Sequence, residues 1–305
     1  MLQNQYMAGW VPGFTSALEM ELNQENATPF ITCQLATVDS QGFPHVRTLV
    51  YRGFLFDDKS NNIISLTTDR RMSKYQEILN NDKVEAVFYF PTSRKQFRFR
   101  GVARIIDKEH KPRVDISSIS PRHIIENSRS ASASDSDSDS DSDDDNSSIE
   151  EETVLEFQNS AIPPISRPIH HHLISPSLST TLQQYKSANN LSYTNLHDLT
   201  SVEFTPPSEE EWNQEILRQW SNLSKKLKSS FRKPMPKTKI DNEKQKLIDS
   251  ISRGVDGKKE ETGMDNFAII ALFTDYVDLY EMEKDRRYIY EKDSYQMWKE
   301  NEVCP

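Results

Sequence analysis

Apolar and polar residues alternate along the first third of the chain, in short runs separated by turn residues. Such alternation is typical of half-buried β-strands. It predicts strands over residues 30–38, 45–54, 63–68, 84–90 and 96–106. Residues 10–25 and 72–81 instead show helical spacing, and Thr15 and Ser16 have side chains suited to cap the first helix. Together these elements predict a β-meander with one interposed helix, which suits a small closed or half-closed barrel.

Regular patterns return in the last hundred residues. Trp212, Ile216 and Trp220 begin a helical repeat that predicts one amphipathic helix over 212–231. Residues 237–266 are mostly polar and are predicted to form a loop, with a short helix near its middle. Further apolar runs predict strands over 267–274, 276–282, 287–290 and 295–303.

The middle of the chain, residues 127–205, is Ser/Asp-rich and then Ser/Pro-rich. Residues 126–152 hold eleven acidic side chains and one arginine, so they carry the whole net charge of −10. Sequence of this kind cannot bury apolar surface, which predicts a long disordered acidic insertion. The remaining parts, 1–126 and 206–305, are then two pieces of one mainly β domain with flanking helices. The alternate serines of Ser134–Ser142 each precede an Asp by three residues, a pattern that suits acid-directed kinases.

Composition removes several classes of protein. The two cysteines, Cys33 and Cys304, make no disulfide framework and no zinc spacing, and Cys33 lies in an apolar run that predicts a packed thiol. The first residues lack the pattern of a signal peptide, and no apolar stretch is long enough to span a bilayer. These features favour a cytoplasmic protein, with the nucleus also open, and no membrane partner.

Two clusters of polar residues are interpreted as ordinary solvated residues and not as binding sites. The tract His170–His172 resembles a metal site, but it lies in a Ser/Pro-rich stretch without cysteine. The basic cluster at 225–233 lacks the aromatic platform of a nucleic-acid site, so a solvated helix face is favoured and no nucleic-acid partner is expected.

Cationic and hydroxyl side chains stand at the ends of the predicted strands, where a phosphate would need them. Two of the cations are five residues apart on one strand and therefore face opposite ways. The others flank a strand-to-helix turn, where free helix N–H groups also favour an anion. Any one of them alone would be an ordinary surface residue, but as a set they favour ligand binding. The set is Arg47, Arg52, Thr67, Thr68, Arg71 and Lys74.

These motifs resemble the pyridoxamine 5′-phosphate oxidase-like family of FMN-binding split barrels. The strand from Arg47 to Arg52 is similar to the family's Arg-x-x-Leu/Val-x-Lys/Arg strand. Residues 67–74 resemble its Thr-Asp-x-Arg-Ser-x-Lys signature, with Met72 in place of the serine. Residues 96–101 resemble its Gln-x-Arg-x-x-Gly strand. The resemblance covers residues from about 10 to 106 and from about 211 to 305.

The resemblance implies that the cofactor is FMN and that Arg47 contacts its phosphate. It also implies that Gln96 hydrogen-bonds the flavin ring, that Tyr280 replaces a flavin-contacting Trp, and that Arg287 lies near the ring. The implied cofactor-binding set is Arg47, Arg52, Thr67, Thr68, Arg71, Lys74, Gln96, Tyr280 and Arg287. In the family FMN lies between two subunits, which implies a homodimer.

The implied activity is oxidation of a small molecule, with hydride transfer from pyridoxamine or pyridoxine 5′-phosphate to FMN. The alternative is an FMN-binding or regulatory protein, or a flavin reductase-type enzyme that acts on another substrate. Authentic oxidases hold the substrate with an Arg-x-His pair before the late arginine, whereas this chain has Glu283 and Asp285 there. Two anions would repel a substrate phosphate, so the sequence predicts weak or absent turnover. A nearby cation, Lys284 or Arg286, would compensate for the two negative charges. The oxidase activity therefore stays open.

Overall fold

Six antiparallel strands close into a barrel in the computed structural model, which describes residues 7–117, 163–178, 204–257, 260–293 and 296–305. The strands are β1 (Thr32–Val38), β2 (Pro44–Phe54), β3 (Ile63–Asp69), β4 (Lys83–Phe90), β5 (Lys95–Ile106), β6 (Val114–Asp115), β7 (Ile169–His170), β8 (Phe267–Glu281), β9 (Arg286–Lys292) and β10 (Trp298–Val303). The helices are α1 (Trp10–Leu22), α2 (Ser73–Asn80), α3 (Glu209–Ser221), α4 (Lys225–Ser230) and α5 (Asn242–Arg253). The predicted mainly β barrel with flanking helices is confirmed.

The barrel closes through β8, which pairs with β3 on one side and with β5 on the other. Ile269 is the registered partner of both Thr67 and Ile106. From Tyr276 onward, β8 leaves β3 and pairs with β9, and β10 extends the sheet further. The prediction of two separate strands in this region is wrong. Both halves of β8 stay paired with β5, and the exposed Asp275 lies between them without breaking the strand.

Aromatic side chains of α1, β4 and β5 fill the barrel core. Trp10 and Phe14 of α1 are fully buried, and their ring centroids lie 4.9 and 5.1 Å from that of Phe99. Both contacts are edge to face, the arrangement that aromatic quadrupoles favour. Cys33 is buried in the same cluster, which confirms the packed thiol.

A second apolar cluster covers the outside of the barrel. Alternate residues of β8 point to opposite faces, so Ile270 belongs to the inner core and Ile269 to the outer cluster. Trp220, Phe231 and Phe267 form the centre of the outer cluster, with ring centroids 5.3–5.6 Å apart. Burial on both faces explains why β8 reads as a continuous apolar run.

Two helix predictions require correction. The first helix begins at Trp10, so Thr15 and Ser16 lie inside it and do not cap it. The helix predicted over 212–231 is two helices, α3 and α4. Ser224 accepts a hydrogen bond from Leu227 N–H and starts the second helix, which explains the break.

Part of the predicted insertion packs against the barrel. Within 163–178, Ile169 and Leu173 are buried in the outer cluster, and His171 is 2 % exposed. The expectation that this stretch is loose is therefore wrong, because a few apolar residues inside a polar sequence are enough to dock it. The rest of the predicted insertion, including Ser134–Ser142, lies outside the described residues. Within the described part, no helix is long and apolar enough to cross a membrane.

Candidate functional site

A cavity of about 520 Å³ lies between the outer face of β2 and β3 and a covering segment of the same chain. We call this segment, residues 231–256, the roof; it includes α5. Its Met235 and Ile240 give the cavity an apolar side, opposite Thr48 and Val50 of β2. The helix predicted near the middle of the polar stretch 237–266 is present but longer, at Asn242–Arg253. The prediction missed that this stretch covers a cavity.

The cavity brings together five of the nine residues predicted to bind the cofactor, namely Arg52, Thr67, Thr68, Arg71 and Lys74. Arg52 and Thr67 come from neighbouring strands, and Arg52 Nε lies 3.4 Å from Thr67 Oγ1. Lys74 follows in α2, which starts at Ser73 and has no side-chain cap. Lys74 is thus in the first turn of α2, whose N–H groups have no side-chain cap. Free N–H groups at a helix start favour an anion.

Positive charge dominates the cavity, which is lined by six Lys or Arg side chains and one carboxylate, Asp69. Asp69 is already paired with Arg71 at 2.6 Å. Within the described residues, Arg52 and Lys74 have no carboxylate within ion-pair distance, although Lys74 is only 8 % exposed. Burial lowers the pKa of Arg52, and burial together with the charge of Arg47 lowers that of Lys74. The charges of Asp69 and Glu77 offset the shift of Lys74 only in part. Buried or half-buried cations that make no ion pair fit an anionic ligand such as a phosphate.

Arg47 does not line the cavity, and its guanidinium binds Glu77 and Thr37. Its guanidinium donates to Glu77 at 2.9 Å and to Thr37 Oγ1 at 2.5 Å. Glu77 also accepts from Thr37 Oγ1 at 2.5 Å and contacts His45 Nδ1 at 2.8 Å. Burial raises the pKa of Glu77, but these hydrogen bonds and the charge of Arg47 outweigh it and keep the pKa below its usual value. The phosphate contact predicted for Arg47 stays a prediction.

Arg71 lines the cavity, but its guanidinium is used within the protein. Nε and one terminal nitrogen bind the Asp69 carboxylate at 2.9 and 2.6 Å. The terminal nitrogens also donate to the carbonyl oxygens of Phe231 at 3.0 Å and Lys233 at 2.7 Å. Arg71 thus joins the strand-to-helix turn to the start of the roof.

Gln96, Tyr280 and Arg287 form a second group. They are registered partners across β5, β8 and β9, so they lie in one row of the sheet. Arg287 donates to Asp278 at 2.9 and 2.5 Å, which raises the pKa of Arg287. The Tyr280 hydroxyl donates to Asp285 at 2.9 Å.

The two groups are far apart along the chain that connects them. Thr67 pairs with Ile269 of β8, whereas Tyr280 lies eleven residues further along the same strand. At about 3.3 Å per residue, this is roughly 35 Å of strand. None of Gln96, Tyr280 and Arg287 lines the cavity.

Comparison with known proteins places this fold in a family. A sequence profile described as "Pyridoxamine 5'-phosphate oxidase, FMN-binding domain" matches residues 7–107. An uncharacterized protein of Saccharomyces cerevisiae, YGR017W, is 33 % identical over 323 aligned residues, which cover 98 % of this chain and 99 % of the yeast protein. The chain belongs to the pyridoxamine 5′-phosphate oxidase-like family.

Members with a named activity match over shorter stretches. A pyridoxine/pyridoxamine 5′-phosphate oxidase of Agrobacterium fabrum is 32 % identical over 107 residues, which cover 35 % of this chain and 47 % of that enzyme. The chain thus spans about half of that relative. At full length, a pyridoxamine 5′-phosphate oxidase-related, FMN binding protein of Nostoc punctiforme has the same fold, with a TM-score of 0.56, 20 % identity and 98 % of both chains covered.

The departure from the family's substrate pair lies in the turn between β8 and β9. Glu283 and Asp285 are both exposed there. Lys284 contacts Glu281 at 3.1 Å, and Arg286 binds Glu302 at 2.6 Å. The two cations that the sequence offered as compensation are therefore already paired with carboxylates.

Sequence reasoning missed the roof as part of the site. Lys233 and Lys237 line the cavity, and Lys237 Nζ lies 3.2 Å from Ser73 Oγ at the start of α2. The signal was present as a Pro-rich turn after α4, followed by an amphipathic helix with several lysines in a polar stretch. Composition alone did not show that these lysines face a cavity.

Proposed function

We propose that this protein is a flavoprotein that binds FMN in the cavity between β2, β3 and the roof. The observation that carries the proposal is a pair of cations, the half-buried Arg52 and the buried Lys74, that form no ion pair with a carboxylate among the described residues. A phosphate would supply the missing negative charge, and the hydroxyls of Thr67 and Thr68 would add hydrogen bonds. The apolar side of the roof suits a flat ring system.

As an enzyme, the protein would be an FMN-dependent oxidoreductase that acts on a small molecule. Bound FMN supplies two-electron redox chemistry, and the protein supplies binding, orientation and electrostatics. Arg52 and Lys74 would hold the anionic end of the cofactor, and Met235 and Ile240 of the roof, which are exposed, would pack against its ring system.

The test compares FMN with riboflavin, which lacks the phosphate. We expect FMN to raise the thermal midpoint and riboflavin to raise it less, since a ligand that binds the folded state stabilises it. Lys74→Ala should weaken FMN binding by about 10- to 100-fold, because one charge-assisted contact contributes about 1.5–3 kcal/mol. Lys83→Ala, at an exposed lysine outside the cavity, is the matched control. Equal FMN affinity in wild type and Lys74→Ala, or no FMN binding at all, would remove the cavity as the site.

We propose further that two copies of the chain share each FMN site. Support comes from the roughly 35 Å of strand between the cavity and the row of Gln96, Tyr280 and Arg287. If one subunit supplies the cavity and its partner supplies the row, Lys74→Ala and Arg287→Ala damage different halves of the same site. Co-expression of the two variants should then restore one intact site per mixed dimer, which is half of the wild-type FMN content in the isolated mixed dimer and about a quarter in the randomly paired pool. Recovery no better than either variant alone, or a monomer in light scattering, would contradict the proposal.

Oxidation of pyridoxine 5′-phosphate is expected to be weak or absent even with FMN bound. Glu283 and Asp285 are exposed, and the adjacent Lys284 and Arg286 are paired with carboxylates. This favours the alternative of a flavoprotein without pyridoxal phosphate synthase activity. The assay is oxygen-dependent formation of pyridoxal 5′-phosphate by FMN-saturated protein, beside the double variant Glu283→Arg, Asp285→His. Robust wild-type turnover would show that the charge argument is wrong.

A further inference from the structure

The guanidinium of Arg71 has almost no hydrogen-bonding capacity left for a ligand. An arginine has five N–H donors. Four are used by the two oxygens of Asp69 and by the carbonyl oxygens of Phe231 and Lys233, at 2.6–3.0 Å. The charge of Arg71 is also balanced by Asp69. By contrast, Lys74 in the same turn has no ion-pair partner among the described residues.

The roof is attached to the rest of the protein at its first residues, at Lys237, which contacts Ser73, and through the buried Ile251 of α5. Phe231 is buried against Trp220 and Phe267, and its carbonyl accepts from Arg71 and also from Asn266 Nδ2, at 2.9 Å. A buried ion pair between Arg232 and Asp256, at 2.9 Å, joins the two ends of the roof to each other. This pair closes the roof as a loop, but it does not fix the loop to the barrel.

We propose that Arg71 is a positioning residue that holds the roof over the cavity, and that it is not itself a phosphate ligand. Its two carbonyl contacts connect the turn after β3 to residues that lie 160 and 162 positions later. Lys233 and Lys237 follow directly, so the positions of these two cations depend on the Arg71 contacts. The part of this inference that concerns ligand affinity rests on the proposed FMN site.

Hydrogen exchange without ligand tests the positioning role directly. In Arg71→Gln, the hydrogen-bonded backbone amides of Arg232, Lys233 and Thr238 should exchange at least about tenfold faster, because the roof opens more often. Asn266→Ala removes the other side-chain contact to the Phe231 carbonyl and leaves Arg71 intact, so it should shift the same amides in the same direction. Lys74→Ala should leave these amides unchanged. Unchanged exchange in Arg71→Gln would overturn the proposal.

A double-mutant cycle on FMN affinity distinguishes positioning from direct binding. Lys237→Ala should weaken FMN binding about tenfold in the wild-type background but about twofold or less in Arg71→Gln, since the roof lysine is then already displaced. If Arg71 bound phosphate independently of the roof, the two losses would simply multiply. Multiplying losses would overturn the proposal.

Arg71→Lys provides a check against loss of folding and against a simple charge effect. Lysine keeps the charge but lacks the planar fork that spans Asp69 and two carbonyls. We expect wild-type circular dichroism, faster exchange in the roof and weakened FMN binding. Wild-type affinity in Arg71→Lys with an opened roof would show that FMN binding needs the charge of Arg71 and not the closed roof, and would refute the part of the proposal that concerns ligand affinity. If wild-type protein bound no FMN, the proposed function would fail, while the exchange experiment would still decide whether Arg71 holds the roof.

Discussion

At the scale of single residues, Gly101 is fixed by the close approach of β5 and β8. It lies at the irregularity in their pairing, and a Cβ at this position would stand 2.1 Å from the carbonyl oxygen of Phe273. Gly101→Ala should therefore force the two strands apart and lower the free energy of unfolding by roughly 3 kcal/mol or more, at the upper end of overpacking costs. Urea denaturation followed by circular dichroism measures the change.

Gly13 is the matched control. It lies inside α1, and a Cβ there meets nothing within 4 Å. Gly13→Ala should stabilise the protein by about 0.5–1 kcal/mol, because glycine is a poor helix former. A similar effect from both substitutions would contradict the role assigned to Gly101.

Residue-scale chemistry was predictable from the sequence only in part. The strand ends and the strand-to-helix turn together grouped Arg52, Thr67 and Lys74, and these three residues line one cavity. The partners of Arg47 and Arg71 were not predictable, because Glu77 lies 30 residues from Arg47, and the carbonyls that Arg71 binds are at least 160 residues away. Local spacing carries no information on such tertiary contacts.

At the scale of elements, the amine of the half-buried Lys292 ties the docked segment 163–178 to β9. Lys292 Nζ lies 2.9 Å from His171 Nδ1, and His171 Nε2 lies 2.8 Å from the carbonyl oxygen of Asn61. Burial lowers the pKa of Lys292 to about 7, and the charge of Asp275 offsets this only in part. The amine is therefore largely neutral above pH 7 in the folded protein, and it accepts a proton when the chain unfolds.

This linkage predicts how stability depends on pH. Between pH 7 and the ordinary pKa of lysine, the unfolded chain binds more protons than the folded protein, so the free energy of unfolding should rise with pH. Above about pH 9 the buried Cys33, whose pKa is raised to about 12, opposes this trend. From pH 7 to 9, Lys292→Met should reduce the slope by up to about 1 kcal/mol per pH unit. The exposed Lys299→Met is the control, and an unchanged slope in Lys292→Met would refute the assignment.

Elements with strong periodicity were well predicted, and polar ones were not. The five strands up to residue 106 follow from alternation because each has one face on the barrel core. The roof and the docked segment are polar on average, so composition indicated loops. Their positions depend on a few residues, such as Ile169, Leu173 and Ile251, which bury without a long periodic pattern.

At the scale of the whole molecule, the docked segment divides the middle of the chain into parts with different expected roles. Deletion of residues 128–190 would remove Ile169 and Leu173 from the outer cluster, together with the buried His171. Each buried aliphatic side chain contributes roughly 1.5–3 kcal/mol, so this deletion should lower the thermal midpoint markedly. Deletion of 128–160 alone keeps the segment and should lower it far less. Equal midpoints for the two deletions would show that the docked segment contributes nothing to stability.

The place of β8 in the chain has a consequence for synthesis on the ribosome. The strand that closes the barrel between β3 and β5 begins only at Phe267, after most of the protein has been made. Until then the two strands leave unpaired edges, and exposed edges invite pairing with other nascent chains. A chain that ends at residue 117 should therefore form oligomers in size-exclusion chromatography. A monomeric, folded fragment would show that the first five strands close without β8. The protein is thus expected to be most prone to aggregation while it is still being translated.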